Sequence, residues 1–271
     1  MDNTTYPKSI QVSASSMVSV DEKRQSHRVR NIGGIILWCI GFIILMAASV
    51  IVHGHPGPWP FELTTSHYIQ SLQLWGWIVA CLTFVNVFNN GVPAAIELAI
   101  WFVVLLLLRQ FRYAIFIPVG AAIADGLDGL LETLVKRPRP SPHLVHILMP
   151  EPTPSFPSGH VEHCVVYYGF LLYLSFTKPV RQWRYSWLLI PFQLFAALTI
   201  LVVGFARLEA GSHWLGDVVA GYLSGALLLT VLIVLYRRAI VWLARRRARK
   251  EHEKEVETFP GGNRQGSFKQ P

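Results

Sequence analysis

Residues 186–236 read SWLLIPFQLFAALTILVVGFARLEAGSHWLGDVVAGYLSGALLLTVLIVLY, with two apolar segments around a short polar turn. The segments 186–206 and 216–236 are each close to the ~20 residues that a helix needs to cross a ~30 Å hydrocarbon core. The turn between them carries Arg207 and His213. This pattern predicts two membrane-spanning helices that meet at one face of a membrane.

Four more segments of the chain have the same apolar character, and they are 33–52, 91–108, 113–135 and 160–177. Over the whole chain 52% of residues are hydrophobic and 15% are charged, whereas soluble domains average about 25% charged. The predicted fold is therefore all-α, a six-span transmembrane helical bundle. Segment 56–90 begins with prolines and is interrupted by Asn86 and Asn89, which predicts an interfacial or re-entrant helical segment between the first and second spans.

The net charge of +8 lies in the two ends of the chain. Residues 1–30 contribute +2, residues 237–271 contribute +6, and residues 31–236 are neutral. A nucleic-acid-binding protein would place its basic residues on a folded face, so this class is excluded. We expect a basic N-terminal tail over 1–30, a six-span domain over 31–236, and a basic, disordered C-terminal tail over 237–271.

The short basic loops predict the orientation of the chain in the membrane. Arg109 and Arg112 separate the second and third spans, and three cations, Lys178, Arg181 and Arg184, separate the fourth and fifth. Cytoplasmic loops carry an excess of Lys and Arg. Both termini are then cytoplasmic, and the loops that follow the third and fifth spans face the extracytoplasmic side of a cell or plasma membrane.

Two clusters of polar residues at these outward ends suit an anion. The first is Lys136-Arg137-Pro138-Arg139-Pro140, and Arg139, like Arg207 in the later turn, offers a guanidinium fork that can grip a phosphate. The second is Pro157-Ser158-Gly159-His160, where a helix N-terminus presents free N–H groups. Span-end arginines are more often interface anchors, and a Ser-Gly pair is more often a simple cap.

The third cluster contains a candidate nucleophile. His213 and Asp217 are four residues apart, so on a helix the carboxylate could accept a hydrogen bond from one ring nitrogen and leave the other free as a nucleophile or base. Such pairs also occur as purely structural hydrogen bonds.

Together, Arg139-Pro140, Pro157-Ser158-Gly159-His160 and Arg207-x5-His213-x3-Asp217 closely resemble the three-part signature of the type 2 phosphatidic acid phosphatase superfamily of integral membrane lipid phosphatases. The resemblance implies metal-free hydrolysis through a phosphohistidine, with no cofactor.

By the same resemblance, His213 would attack phosphorus, Asp217 would orient it, and His160 would protonate the leaving oxygen. Arg139, Arg207, Ser158 and the Gly159 amide would hold the phosphoryl oxygens.

The first motif departs from the family pattern, because Glu132 stands where the family has a lysine. A carboxylate there would repel a phosphate, so Lys136 or Arg137 is the expected substitute. Asp125 and Asp128 continue an acidic stripe from Glu132 along one helix face. We expect this stripe either to line a polar cleft and pair with the arginines or to hydrogen-bond to helix residues such as Glu97.

The remaining histidines and cysteines do not form a recognisable metal site. Their spacings match no strong metal pattern and no disulfide framework, and they are His53, His55, His67, His143 and His146 with Cys39, Cys81 and Cys164. A metal-dependent hydrolase would also need more carboxylates beside His160 and His213.

Two further functions stay open beside the phosphatase. The leading prediction is hydrolysis of a lipid phosphate or diphosphate, with undecaprenyl diphosphate and phosphatidic-acid-type lipids as candidates. A phosphotransferase would share the phosphohistidine and pass the phosphoryl group to an alcohol. A non-catalytic membrane protein or transporter would use the charges for gating, and it predicts internal repeats, which are not evident in this chain. The oligomeric state is left undetermined.

Overall fold

A computed structural model describes residues 32–89, 91–107, 111–182 and 184–258, and these residues contain helices and no strand. The predicted all-α class is confirmed. In chain order the helices are α1 (Ile32–Gly54), α2 (Pro60–Ser71), α3 (Gly76–Phe88), α4 (Gly91–Leu107), α5 (Phe111–Val135), α6 (Gly159–Ser175), α7 (Lys178–Arg181), α8 (Ile190–Glu209) and α9 (Leu215–Thr258). A 3₁₀ turn, Ser186–Leu189, leads into α8.

Four of the described segments are long and apolar enough to cross a membrane, and they are Ile32–Gly54, Ala114–Val135, Ser186–Glu209 and Leu215–Lys254. Helices α3 and α4 meet at 71° and would add a fifth crossing as one broken span. The six-span count is therefore not confirmed. Helix α6 has 17 residues, which at 1.5 Å per residue is about 25 Å and the lower limit for a span.

Helix α6 lies at the centre of the bundle, between α5, α8 and α9. Its fully buried side chains include Val161, Tyr168 and Phe170. Helix α9 approaches it closely at Gly221 and Gly225, where an added Cβ would lie 2.7 Å from the Ser158 carbonyl oxygen and 2.8 Å from Val165 Cβ. Small residues at such crossings let two membrane helices pack backbone to backbone.

Helix α1 packs on α9 and leaves much of its apolar surface exposed. Trp38 Nε1 donates a hydrogen bond to the Leu227 carbonyl (3.0 Å), while Ile35, Leu37 and Val50 are exposed. An apolar helix face of this kind is suited to contact with lipid.

The segment 56–90 is helical, as predicted, and forms α2 and α3. Both helices pack against α8. Gln70 ties α2 to the neighbouring loops, because its Nε2 donates to the carbonyl oxygens of His146 (2.7 Å) and Glu209 (3.1 Å). Helix α2 therefore lies at the end of the bundle at which α8 ends.

The prediction of disorder from residue 237 onwards is wrong as far as Thr258, because α9 continues to that residue. Ala, Arg, Lys and Glu dominate this stretch, and all four are strong helix formers. The N-terminal tail over 1–30, the residue Arg109 and residues 259–271 lie outside the described residues.

Candidate active site

The polar residues of the three motifs come together at one end of the bundle. Helices α5 and α8 end there, α6 and α9 begin there, and residues 136–158 form a loop over them. Backbone hydrogen bonds join the loop to the helix ends: the Ser158 N–H donates to the Asp217 carbonyl (3.1 Å), and the Leu148 N–H donates to the Ala210 carbonyl (3.0 Å). The fold thus assembles one cluster from residues that are far apart in sequence.

His213 is buried in the turn between α8 and α9. Its Nδ1 lies 2.8 Å from the backbone carbonyl oxygen of Ser155, and because a carbonyl can only accept, Nδ1 carries the proton. Nε2 therefore carries a lone pair, which accepts a hydrogen bond from Arg139 Nη1 (3.1 Å). Burial, together with the positive charges of Arg207 and Arg139, lowers the pKa of His213 well below its ordinary value of 6.5. The imidazole is neutral at neutral pH, as a nucleophile requires.

Asp217 does not make the predicted hydrogen bond to His213. Its Oδ2 lies 3.8 Å from His213 Nδ1, which is beyond hydrogen-bond distance. The carboxylate instead accepts from the Trp214 N–H (2.9 Å), from Arg137 Nη1 (2.5 Å) and from the Ser155 hydroxyl. The reason is its place in the first turn of α9, where a carboxylate caps the helix N-terminus. Ser155 connects the two residues, since its carbonyl binds His213 and its hydroxyl binds Asp217.

Arg137 and Lys136 are placed differently from the predicted phosphate-binding arrangement: Arg137 is paired with two carboxylates, and Lys136 lies just after the end of α5. Arg137 is fully buried between Glu62 (2.6 Å) and Asp217 (2.5 Å). Burial alone would lower the pKa of Arg137, but these two carboxylates outweigh it and raise that pKa. Lys136 has a φ of 54° and donates its N–H to the Glu132 carbonyl (2.9 Å), so it ends α5 in the left-handed conformation. Its side chain is exposed.

Arg139 and Arg207 converge on one carboxylate, that of Glu151 in the loop. Arg139 Nη1 lies 2.8 Å from Glu151 Oε2, and Arg207 Nη2 binds Glu151 Oε1. Burial would raise the pKa of Glu151, but the two guanidinium groups outweigh it and lower that pKa below 4.5. Arg207 Nη1 also lies 3.5 Å from the Asn86 side-chain oxygen. Two guanidinium groups that share one carboxylate are spaced to hold one oxyanion.

The start of α6 lies beside this pair. Ser158 is fully buried, and its hydroxyl has no hydrogen-bond partner among the described residues, as is also true of His160 Nε2 and Arg207 Nε. Gly159 allows a close approach here, because an added Cβ would lie 2.3 Å from Asp128 Oδ2. Buried polar groups are nearly always paired, so these atoms are candidates for binding a ligand.

A cavity of about 640 Å³ opens next to the cluster. Its lining includes seven acidic, basic or histidine side chains, and they are Asp125, Asp128, Glu132, Arg139, Glu151, His160 and His163. Glu132 lies 3.9 Å from Arg139, which agrees with the predicted pairing of the acidic stripe with the arginines. Glu97 instead accepts a hydrogen bond from the Tyr168 hydroxyl (3.0 Å).

Five residues of the cluster are absent from the sequence prediction, and they are Glu62, Asn86, Glu151, Thr153 and Ser155. Thr153 accompanies Arg139, accepting from its Nε and Nη2 at 2.8 and 2.9 Å through the carbonyl and hydroxyl oxygens. In the sequence, Asn86 indicates only an interruption of an apolar run. A buried charge in a helix bundle requires a partner. The motifs contain more arginines than acidic residues. This excess was the available signal that carboxylates such as Glu62 and Glu151 must lie nearby.

Within the described residues, no group of three or more His, Cys, Asp or Glu side chains is arranged to hold a metal ion.

Comparisons with known proteins support the family resemblance that the three motifs indicate. Residues 113–240 match the model of the PAP2 superfamily. No curated protein matches the sequence. Among solved structures, the fold is similar to a PAP2-type phosphatidylglycerolphosphate phosphatase from Bacillus subtilis, with a TM-score of 0.60 and 18% identity over 74% of this chain and 96% of that one. LpxE of Aquifex aeolicus is similar with a TM-score of 0.50 and 20% identity, over 65% of this chain and 96% of that one.

The matched range contains the three motifs and the helix ends that bring them together. The family match confirms the resemblance that the motifs carry, and the two structural neighbours share the fold. Residues 113–240 of the chain belong to the PAP2 superfamily.

Proposed function

We propose that this protein hydrolyses lipid phosphate or lipid diphosphate at the extracytoplasmic face through a phosphohistidine on His213. One observation carries the proposal. A neutral imidazole presents its Nε2 lone pair 3.1 Å from Arg139, and Arg139 and Arg207 share one carboxylate. A phosphoryl group held by these arginines would lie against the nucleophile.

In the first step, Nε2 of His213 attacks phosphorus and the bond from phosphorus to the lipid oxygen breaks. Protonated His160 donates its proton to that departing oxygen and becomes neutral; its Nε2, at the start of α6, has no hydrogen-bond partner among the described residues. A positioned acid of this kind contributes about 10²–10⁴ in rate. The guanidinium groups of Arg139 and Arg207 stabilise the charge on the phosphoryl oxygens in the transition state.

In the second step, water attacks phosphorus and the bond from phosphorus to Nε2 breaks. The water proton passes to His160, inorganic phosphate leaves, and His213 returns to its neutral form. The two steps balance, since each turnover consumes one water and releases one phosphate and one dephosphorylated lipid.

Asp217 is a positioning residue in this scheme. It holds the Ser155 hydroxyl, and the Ser155 carbonyl in turn holds His213 Nδ1–H. This arrangement fixes the tautomer in which Nε2 is unprotonated. Ser158 and the Gly159 amide complete the phosphate site at the N-terminus of α6.

A lipid substrate fits the position of the site, at the end of a bundle of apolar helices. We propose six membrane crossings, with α6 and the bent pair of α3 and α4 each counted as one, and with both termini cytoplasmic. The basic loop of α7 would then lie opposite the site.

The test is phosphate release by the purified protein in detergent with a chelator present. Undecaprenyl diphosphate and phosphatidic acid are compared, for the wild type and for His213→Ala. We expect release by the wild type from at least one lipid and none by His213→Ala. His143→Ala, which removes an exposed histidine from the loop, is the matched control and should retain wild-type activity.

Three outcomes would contradict the proposal. Equal rates in the wild type and His213→Ala would mean that the nucleophile is wrong. Loss of activity with chelator would mean a metal-dependent reaction. No phosphate release from either lipid by a well-folded protein, with phosphoryl transfer to an added alcohol, would identify a phosphotransferase.

A further inference from the structure

Glu151 lies where the proposed chemistry requires a phosphoryl group. Arg139 Nη1 lies 2.8 Å from Glu151 Oε2 and 3.1 Å from the nucleophilic Nε2 of His213. Glu151 Oε1 binds Arg207 Nη2. One carboxylate therefore bridges both guanidinium groups beside the nucleophile, as two oxygens of a phosphate would.

Each of the two arginines has a further hydrogen-bond partner besides Glu151. Arg139 is held by both oxygens of Thr153 and by the Ser212 carbonyl (3.1 Å). Arg207 is fully buried, and its Nη1 lies 3.5 Å from Asn86. Both side chains would keep partners if the Glu151 carboxylate moved away.

Glu151 itself has room to move. It lies in the loop rather than in a helix, its side chain is 16% exposed, and it lines the cavity of about 640 Å³. In contrast, the carboxylates on Arg137, those of Glu62 and Asp217, are completely buried. The low pKa of Glu151 keeps it charged at neutral pH, so a phosphate and this carboxylate would repel each other if both stayed on the arginines.

We propose that Glu151 is an internal competitor for the phosphate-binding arginines, which a phosphoryl group must displace. The inference rests on the proposed function, because it takes Arg139 and Arg207 as the phosphate ligands. The consequence is weak binding of inorganic phosphate, so that the product leaves after each turnover and phosphate in solution does not block the site. A carboxylate that served only to position the arginines would have the opposite effect, since its removal would weaken phosphate binding.

The experiment measures the binding of inorganic phosphate to the purified full chain in detergent by titration calorimetry. We expect Glu151→Gln to bind phosphate at least about tenfold more tightly than the wild type, because charge-assisted hydrogen bonds no longer have to be broken. Glu151→Ala should bind at least as tightly as Glu151→Gln. Glu209→Gln is the matched control, because this acid near the same end of the bundle makes no ion pair with either arginine in the described structure, and it should bind as the wild type does.

Equal or weaker phosphate binding by both Glu151 variants would overturn the inference, as would the absence of measurable binding in either variant. Lipid hydrolysis, assayed separately, tests the proposed function. Hydrolysis without tighter phosphate binding by the variants would refute only the role of Glu151. Tighter binding without hydrolysis would refute only the phosphatase.

Discussion

Arg137 and its two carboxylates form a buried ionic cluster next to His213. All three side chains are inaccessible to solvent, and Glu62 also accepts a hydrogen bond from the Gly216 N–H at 2.9 Å. Removing one partner of such a cluster leaves uncompensated charge in the interior. We therefore expect Glu62→Ala to lower the free energy of unfolding by about 3–5 kcal/mol, measured by chemical denaturation in detergent.

The matched control for Glu62 is an exposed ion pair. Arg249 and Glu253 lie 3.3 Å apart on α9 with side chains 83% and 60% exposed. Exposed pairs of this kind contribute little, so Glu253→Ala should leave stability nearly unchanged. If Glu62→Ala and Glu253→Ala had the same small effect, the buried cluster would not stabilise the fold.

His213 should make the stability of the protein depend on pH. Its pKa is lowered in the folded state by burial and by Arg207 and Arg139, whereas the unfolded imidazole takes up a proton near its ordinary value of 6.5. The folded state is therefore disfavoured as pH falls below 6.5. For one proton the slope is up to about 1.4 kcal/mol per pH unit. Unfolding of the wild type and of His213→Gln, followed between about pH 5 and pH 8, measures this contribution.

The His213→Gln variant should lose stability less steeply on acidification than the wild type. The carboxylate of Glu151 also has a lowered pKa, but it loses its contribution only below about 4.5, so the two effects occupy different pH ranges. His143→Gln, in which an exposed histidine is replaced, should follow the wild type. Parallel curves for His213→Gln and the wild type would mean that His213 is not held neutral.

Among individual residues, the sequence predicts those that belong to the motifs. It does not predict their hydrogen-bond and ion-pair partners. Arg139, His160 and His213 come together because each lies at or within a few residues of a helix end at the same end of the bundle. Glu151 and Ser155 come from a loop without periodicity, and no local pattern indicates which loop residue turns inward. The contact from Asp217 to His213 failed for a different reason, because a carboxylate in the first turn of a helix also has backbone N–H groups to bind.

Among the elements, the turn between α8 and α9 decides where His213 lies. Gly211 has a φ of +64°, and a Cβ on it would lie 2.1 Å from the His146 carbonyl oxygen. That carbonyl also accepts a hydrogen bond from Gln70 (2.7 Å), so it is held in place. We expect Gly211→Ala to lower the free energy of unfolding by more than about 2 kcal/mol, from backbone strain and from the clash. Thermal unfolding in detergent measures the effect.

A glycine with open space around it provides the control for the turn. Gly129 lies inside α5, and nothing lies within 4 Å of the position of an added Cβ. Alanine is a better helix former than glycine, so Gly129→Ala should leave the protein unchanged or slightly more stable. Equal losses for both variants would show that the turn has no special requirement for glycine.

The helices themselves were largely predictable, because a long apolar run in a membrane protein has few alternatives to a helix. The predicted segment 33–52 became Ile32–Gly54, and 113–135 became part of Phe111–Val135. The bend between α3 and α4 was harder to predict, since hydropathy reports whether a segment is apolar and not whether it crosses the membrane in one piece. Hydropathy does not predict the extension of α9 past residue 236, because many of the residues there are charged, although they are strong helix formers.

For the whole molecule, the arrangement of charge along the bundle argues for one orientation in the membrane. The end that holds His213 has its arginines paired with carboxylates, whereas the opposite end carries Arg181, Arg237 and Arg238 without such partners among the described residues. Lys and Arg are in excess on the cytoplasmic side of membrane proteins. The loop over the site should therefore face outward, and the connection between α6 and α8 should face the cytoplasm.

Cysteine labelling in intact cells tests this orientation. The three native cysteines are first replaced by alanine, and His143→Cys in the loop or Gln182→Cys after α7, both at exposed positions, is then introduced. A membrane-impermeant maleimide should label His143→Cys in intact cells, but it should label Gln182→Cys only after permeabilisation. The reverse pattern would place the site in the cytoplasm and exclude substrates of the outer leaflet. Labelling of both positions in intact cells would mean that α6 does not cross the membrane, because α6 separates the two positions in the chain.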